Sequence, residues 1–299
     1  MSTWRDHIRR VTPYVPGEQP QKAEVIKLNT NENPYPPAPG VARALKDFDT
    51  DLFRKYPDPA AKLLVHAIAE NYGLSDEEVF VGVGSDDVLA MAFLTCFGSE
   101  EPVLFPDITY SFYDVWAELF RIPYEQIPLD ESFHIRPQDY KRKNGGIVFP
   151  NPNAPTGILM PLDQVEEIIA ANPDVIIIVD EAYIDFGGTS ALPLLHKYDN
   201  LLIAQTFSKS RSMAGMRIGY LLGNRELIRL INDCKYSFNS YTMNQTSIVL
   251  GTEAMRDQAY FKECTAKIIE TREWAKQEFA KLGFQFDDSM SNVIFVTHP

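Results

Sequence analysis

Residues 175–179 read Val-Ile-Ile-Ile-Val and run directly into Asp180 and Glu181. A strand with one wet face alternates apolar and polar side chains, so a run that is apolar at every position belongs to a strand covered on both faces. Similar short runs occur at 79–84 (VFVGVG), 102–105 (PVLF), 146–149 (GIVF), 201–207 (LLIAQTF) and 218–223 (IGYLLG). Helical segments intervene over roughly 85–97, 110–120, 161–171 and 224–235. This alternation predicts an α/β fold: a mostly parallel sheet wrapped by helices in three layers.

The two ends differ from this middle. Residues 1–40 hold seven prolines (Pro13, Pro16, Pro20, Pro34, Pro36, Pro37 and Pro39), a density that excludes long helices and predicts an extended arm lying against something else. A helix is expected over 58–72, with Asp58 as cap and Pro59 in its first turn. A long amphipathic helix over about 257–282 leads to a new strand, SNVIFVTHP, at 291–299. The expected organisation is an arm at 1–40, a large domain at 41–250, and the incomplete start of a smaller α+β domain at 251–299.

With 41 acidic against 28 basic residues the formal charge is -13, which repels phosphate backbones and anionic lipid and disfavours a nucleic-acid partner. A local basic pocket remains compatible with that total. Cys96, Cys234 and Cys264 lack metal-ligand spacing and read as reduced packing residues, which fits the cytoplasm. No apolar run is long enough for a membrane span, and the N-terminus has no secretion signal.

Four segments carry chemistry, each at a strand end, where α/β proteins bind ligands. In Thr206-Phe207-Ser208-Lys209, the lysine is flanked by hydroxyls, and Arg217 follows eight positions on; Thr206, Ser208 and Arg217 are donors suited to one phosphate, with Gly215 and Gly219 permitting close backbone approach. Ser-Lys alone reads more readily as a solvated surface turn, and it is the wider pattern that reverses this reading. Asp180 closes a buried strand, where a carboxylate is costly unless it caps the next turn or meets a cation, and Tyr183 stands three residues on as either a core tyrosine or a hydroxyl donor. Gly84, Ser85 and Asp86 join a strand to a helix whose first N–H groups can hold an anion, with the Asp86 and Asp87 side chains expected to point away or cap. Asn151-Pro152-Asn153-Ala154-Pro155-Thr156-Gly157 is the fourth, and its amides would face the same crevice.

In this order the four segments resemble the fold type I aminotransferases that use pyridoxal 5′-phosphate, over roughly residues 10–299. Within that class the histidinol-phosphate aminotransferases are most similar, through Tyr14 with Pro16 and Gly17, Leu28-Asn29-Thr30-Asn31-Glu32-Asn33-Pro34-Tyr35, Tyr56-Pro57, and Thr206 to Lys209. The resemblance implies that Lys209 holds the cofactor covalently, Asp180 pairs with its ring nitrogen, Tyr183 reaches its 3′-oxygen, and Tyr110 stacks on the ring. It further implies a homodimer in which Tyr56 reaches the phosphate of the neighbouring subunit's cofactor, and substrate contacts from Tyr14, Asn31, Glu32 and Asn239. The implied reaction exchanges the amino group of L-histidinol phosphate with 2-oxoglutarate. Alternatives are an aromatic or broad-specificity aminotransferase, a decarboxylase, or a cofactor-sensing regulator. Many relatives carry asparagine where this chain has Ala154, so Asn153 is the candidate for that ring contact, and the arginine that grips the substrate carboxylate is expected beyond Pro299.

Overall fold

The computed structural model describes residues 2–18 and 25–298. Pro20 of the arm and the terminal Pro299 therefore lie outside the described residues. Seven strands form the main sheet: β1 (Val79–Gly82), β2 (Val103–Pro106), β3 (Tyr124–Ile127), β4 (Gly146–Pro150), β5 (Ile177–Asp180), β6 (Leu201–Thr206) and β7 (Gly219–Gly223). Their order is β1-β7-β6-β5-β4-β2-β3. Only β7 runs against the rest, being antiparallel to both β6 and β1.

Each central strand feeds two cores, as its uniformly apolar sequence requires. Ile177 and Val179 of β5 point to one face and Ile178 to the other, and β6 divides Leu201 and Ile203 from Leu202 and Ala204 in the same way. Helices α1 (Pro39–Lys46), α2 (Lys62–Tyr72), α3 (Ser85–Cys96), α4 (Tyr113–Phe120), α5 (Leu162–Ala171), α6 (Arg225–Phe238) and α7 (Gln245–Arg256) surround the sheet. Leu64 and Ile68 of α2, Ile168 of α5 and Ile248 of α7 pack on the first face. Val88 and Phe93 of α3, Trp116 of α4 and Ile231 of α6 pack on the second. Each such fully buried side chain stabilises the fold by about 1.5–3 kcal/mol. The expected three-layer α/β architecture is what forms.

Several local expectations change. β3 escapes a pattern search because it is an edge strand, Tyr-Glu-Gln-Ile, with Glu125 and Gln126 exposed. Helix α2 starts at Lys62 instead of 59: Asp58 accepts from the amides of Ala60 and Lys62, and left-handed Ala61 (φ 47°) separates that turn from the helix. Residue 250 falls inside α7, which packs on α1 and α2. Asp257 lies between α7 and α8 (Gln258–Lys281), its carboxylate accepting from Tyr260 N as the second helix begins. Among the described residues beyond α8 only a two-residue ladder forms, β8 (Gln285–Phe286) with β9 (Val296–Thr297), and the start of the expected last strand is irregular. Apart from a short turn at Trp4–Asp6, described residues up to 38 have no helix or strand, and they touch the body through Arg9 on the Leu119 carbonyl and Tyr14 stacked 4.3 Å from Phe112. Among the described residues no helix is long and apolar enough to cross a membrane.

Candidate active site

Register explains why the four segments converge. Pro150 of β4 sits beside Asp180 of β5, Asp180 beside Ala204 of β6, and Thr206 beside Gly219 of β7, which in turn pairs with Gly82 of β1. The segments leaving these positions therefore open on one sheet edge. There they enclose a cavity of about 730 Å³ lined by, among others, Tyr14, Ser85, Tyr110, Asp180, Tyr183 and Lys209.

Lys209 enters from the turn after β6. Its ammonium donates to the Thr30 carbonyl at 2.7 Å, and burial pushes its pKa down to about 8; the Glu32 and Asp86 carboxylates oppose that shift, while Arg217 and Lys27 add to it. The turn is held on both sides. Asn33 Nδ2 donates to the carbonyls of Lys209 (3.0 Å) and Ser210 (3.2 Å), and Ser210 Oγ donates to Asp185 (2.5 Å). Buried Arg211 donates to the Ala254 carbonyl and lies 4.2 Å over the Phe261 ring.

Asp180 is 4% exposed. Its carboxylate accepts from Tyr113 Oη at 2.9 Å and from the Ala182 amide at 3.1 Å. Burial pushes its pKa up to about 6, against those two hydrogen bonds, and Asp86 pushes in the same direction as burial. No Lys or Arg pairs with it among the described residues. A buried carboxylate on a cavity wall with only neutral donors is a ready partner for a cationic ring nitrogen.

The anion end is built around α3. Gly84 (φ 91°) caps the helix, and a side chain at Gly219 would collide with the backbone of Gly84 and Ser85, so glycine is what lets β7 lie against this turn. The amides of cavity-lining Ser85 and Asp86 have no acceptor among the described residues. Thr206 and Ser208 are buried, linked by their hydroxyls at 3.1 Å, and Arg217 reaches the same wall. Asp87 turns back onto the loop before the helix, its carboxylate accepting from Val83 N at 2.8 Å. Asp86 does not point away: its carboxylate accepts from Tyr110 Oη (2.6 Å) and Arg217 (3.2 Å), because the guanidinium attracts it across the cavity. Gly215 also differs from expectation, since nothing lies within 4 Å of where a side chain would start.

Four expected residues are absent from the lining of this chain's cavity, Gly84 among them, whose amide donates to the Gly82 carbonyl at 3.0 Å. Asn153 is buried one layer behind, its amide donating to the Ile108 carbonyl and accepting from Thr109 Oγ1, so it faces a neighbouring 290 Å³ cavity while Ala154 and Pro155 line the main one. Tyr56 is 82% exposed and packs against Tyr241, the two rings tilted by 33° with centroids 4.7 Å apart. Asn239 is the exposed residue that ends α6. Tyr14, Asn31 and Glu32 do line the cavity, Glu32 paired with Lys27 at 2.6 Å. Sequence reasoning missed Thr30, Thr109 and Ser111 in the lining and Asn33 and Asp185 behind Lys209. Thr30 and Asn33 stand inside the Leu28 to Tyr35 motif and Asp185 lies two residues beyond Tyr183, whereas Thr109 and Ser111 carry no local signal.

Comparison with known proteins gives a consistent picture. The family model "Aminotransferase class I and II" matches residues 23–299. The histidinol-phosphate aminotransferase of Lactococcus lactis subsp. cremoris is 50% identical over 297 residues, 99% of this chain and 83% of its own length. That of Clostridium botulinum is 51% identical over 295 residues, with the same coverage. The crystal structure of histidinol-phosphate aminotransferase from Sinorhizobium meliloti in complex with pyridoxal-5′-phosphate superposes with a TM-score of 0.81 at 26% identity, covering 89% of this chain and 74% of that one.

Proposed function

The chain belongs to the class I and II aminotransferases, and on that premise we propose that it moves the amino group of L-histidinol phosphate to 2-oxoglutarate, giving imidazole acetol phosphate and glutamate in histidine biosynthesis. The observation that carries the substrate is the 50% identity, over nearly the whole chain, to relatives named for that reaction. The cavity supports the cofactor: one amine, one buried carboxylate without a cation, and an anion cradle share a single lining.

Pyridoxal 5′-phosphate, when bound, supplies the electron sink that makes the substrate α-carbon acidic. Lys209 would hold it covalently through Nζ, and the same amine, once free, would be the base placed to take the substrate α-carbon proton. Its lowered pKa favours the neutral amine this requires, and the Thr30 carbonyl offers the released group a hydrogen-bond acceptor. Asp180 would pair with the ring nitrogen and keep it protonated, Tyr183 would donate to the ring 3′-oxygen, and Tyr110 would cover the ring. The Ser85 and Asp86 N–H groups, Thr206, Ser208 and Arg217 would hold the phosphate, whereas the Gly84 N–H already donates to the Gly82 carbonyl at 3.0 Å. For Arg217 to do so its guanidinium must turn from Asp86 to the phosphate. Tyr14, Asn31 and Glu32 meet the substrate. Because Ala154 and a turned-away Asn153 leave the ring oxygen without an asparagine, Asn153 serves the scaffold instead.

The functional unit is a homodimer in the cytoplasm. Tyr56, Phe53, Tyr241 and Phe238 are all exposed aromatic side chains, which isologous pairing would cover while carrying Tyr56 to the partner's phosphate site and Asn239 towards its substrate. The cysteines are free, as a reducing compartment requires. Arm, large domain and small domain divide near residues 40 and 257. Titrating the loaded enzyme's visible absorption with histidinol phosphate, glutamate, phenylalanine and threonine phosphate tests the assignment. Histidinol phosphate should bleach the bound-cofactor band at the lowest concentration, and a preference for phenylalanine would replace it with an aromatic donor.

A further inference from the structure

Asn31 occupies a conformation that few side chains accept, and three neighbours hold it there. Its backbone is left-handed (φ 56°), which asparagine tolerates better than most residues. Asn292 Nδ2 donates to its carbonyl at 3.0 Å, while the adjacent Thr30 carbonyl takes the Lys209 ammonium and Asn33 ties the segment to the Lys209 turn. Thus fixed, Asn31 Nδ2 donates to Tyr183 Oη at 3.0 Å. A phenol has one hydrogen, and its oxygen can accept from elsewhere. Once Asn31 supplies the hydrogen on that side, Tyr183 can spend its own on another acceptor, and both residues line the cavity.

We propose that Asn31 is a positioning residue for the reaction, acting through Tyr183: its amide fixes the Tyr183 hydroxyl as a donor aimed into the cavity. This rests on the reading of the cavity as a pyridoxal phosphate site. Tyr183 is the ring-oxygen donor there, and neither Ala154 nor Asn153 supplies a second. A chain of donors polarises each member, so the Asn31 bond strengthens the donation Tyr183 makes. Stabilising an anionic ring oxygen weakens the hold on the proton shared with the Lys209 linkage. Losing Asn31 should therefore raise the pH at which that linkage deprotonates.

The test is a pH titration of the visible absorption of the loaded enzyme for wild type, Asn31→Gly, Tyr183→Phe and the double variant. Glycine preserves the left-handed backbone; Asn31→Asp keeps the shape while replacing the donor with an acceptor, and serves if the glycine variant is unfolded. Asn31→Gly is expected to move the midpoint upward and lower kcat about two- to tenfold, the weight of one neutral hydrogen bond. In the Tyr183→Phe background the same change should add nothing. An unmoved or lowered midpoint, or an equal shift in both backgrounds, overturns the inference while leaving the site assignment intact. A visible band that survives in Lys209→Ala with the cofactor still covalently attached would overturn the site assignment and this inference with it.

Discussion

Lys209 Nζ and the Thr30 carbonyl meet at 2.7 Å, joining the strand-end turn of the sheet to the arm segment that crosses it. The ammonium is well buried for so short a list of partners, and its pKa falls to about 8 against an ordinary 10.5. Only the neutral amine attacks an aldehyde, so covalent attachment of pyridoxal phosphate to the cofactor-free protein should speed up as pH rises, with a midpoint near 8 and a plateau above it. Stopped-flow absorbance measures this. A rate still climbing tenfold per unit beyond pH 10 would mean that burial does not lower the amine.

Asp180 predicts a conflict between stability and activity. Its folded pKa of about 6 lies above the usual 3.8, so between those values the folded state holds more protons than the unfolded one. Stability of the cofactor-free protein from this group is therefore greatest below pH 4, falls as pH rises to 6, and is lowest above it. Asp180→Asn removes that fall and should stabilise the cofactor-free protein at pH 7 by about 3 kcal/mol at most, while turnover drops by orders of magnitude because the ring nitrogen loses its counter-charge. Urea denaturation at pH 4 and 7 is the check; parallel pH profiles in the two proteins would contradict it.

Arg217 is the full positive charge in the phosphate cradle, and it is already engaged with Asp86 at 3.2 Å. Replacing it with lysine keeps the charge and loses the paired donors, so cofactor affinity should fall about tenfold to a hundredfold. Equilibrium dialysis of the variant measures this. An affinity equal to that of the wild type would place the phosphate elsewhere.

Tyr56 tests the assembly. Because it is exposed in its own chain, Tyr56→Phe subunits mixed with Lys209→Ala subunits should give heterodimers with one doubly damaged site and one intact site, and so recover activity. Confirmed heterodimers without recovery would mean that Tyr56 serves its own subunit.

What could be read without coordinates follows from which interactions are local. The uniformly apolar run before Asp180 specifies a strand covered on both faces, and Gly84, Asp180 and Lys209 all sit where such strands end, so architecture and site edge were both legible. Edge strand β3 was not, because Glu125 and Gln126 face water and mimic a loop. The Asp86 side chain was misplaced because its orientation depends on Arg217, 131 residues away. Asn153 was misplaced for the same kind of reason, its amide being claimed by Ile108 and Thr109. The Asn31 to Tyr183 bond, across 152 residues, has no signature in either motif alone.

The most direct test of the central claim is the rate of glutamate formation from 2-oxoglutarate with L-histidinol phosphate or with phenylalanine as donor, in wild type and Lys209→Ala. The account predicts one glutamate per histidinol phosphate consumed, a higher kcat/KM for that donor than for phenylalanine, and no turnover in the variant. Phenylalanine as the better donor, or transamination persisting in Lys209→Ala, would contradict it.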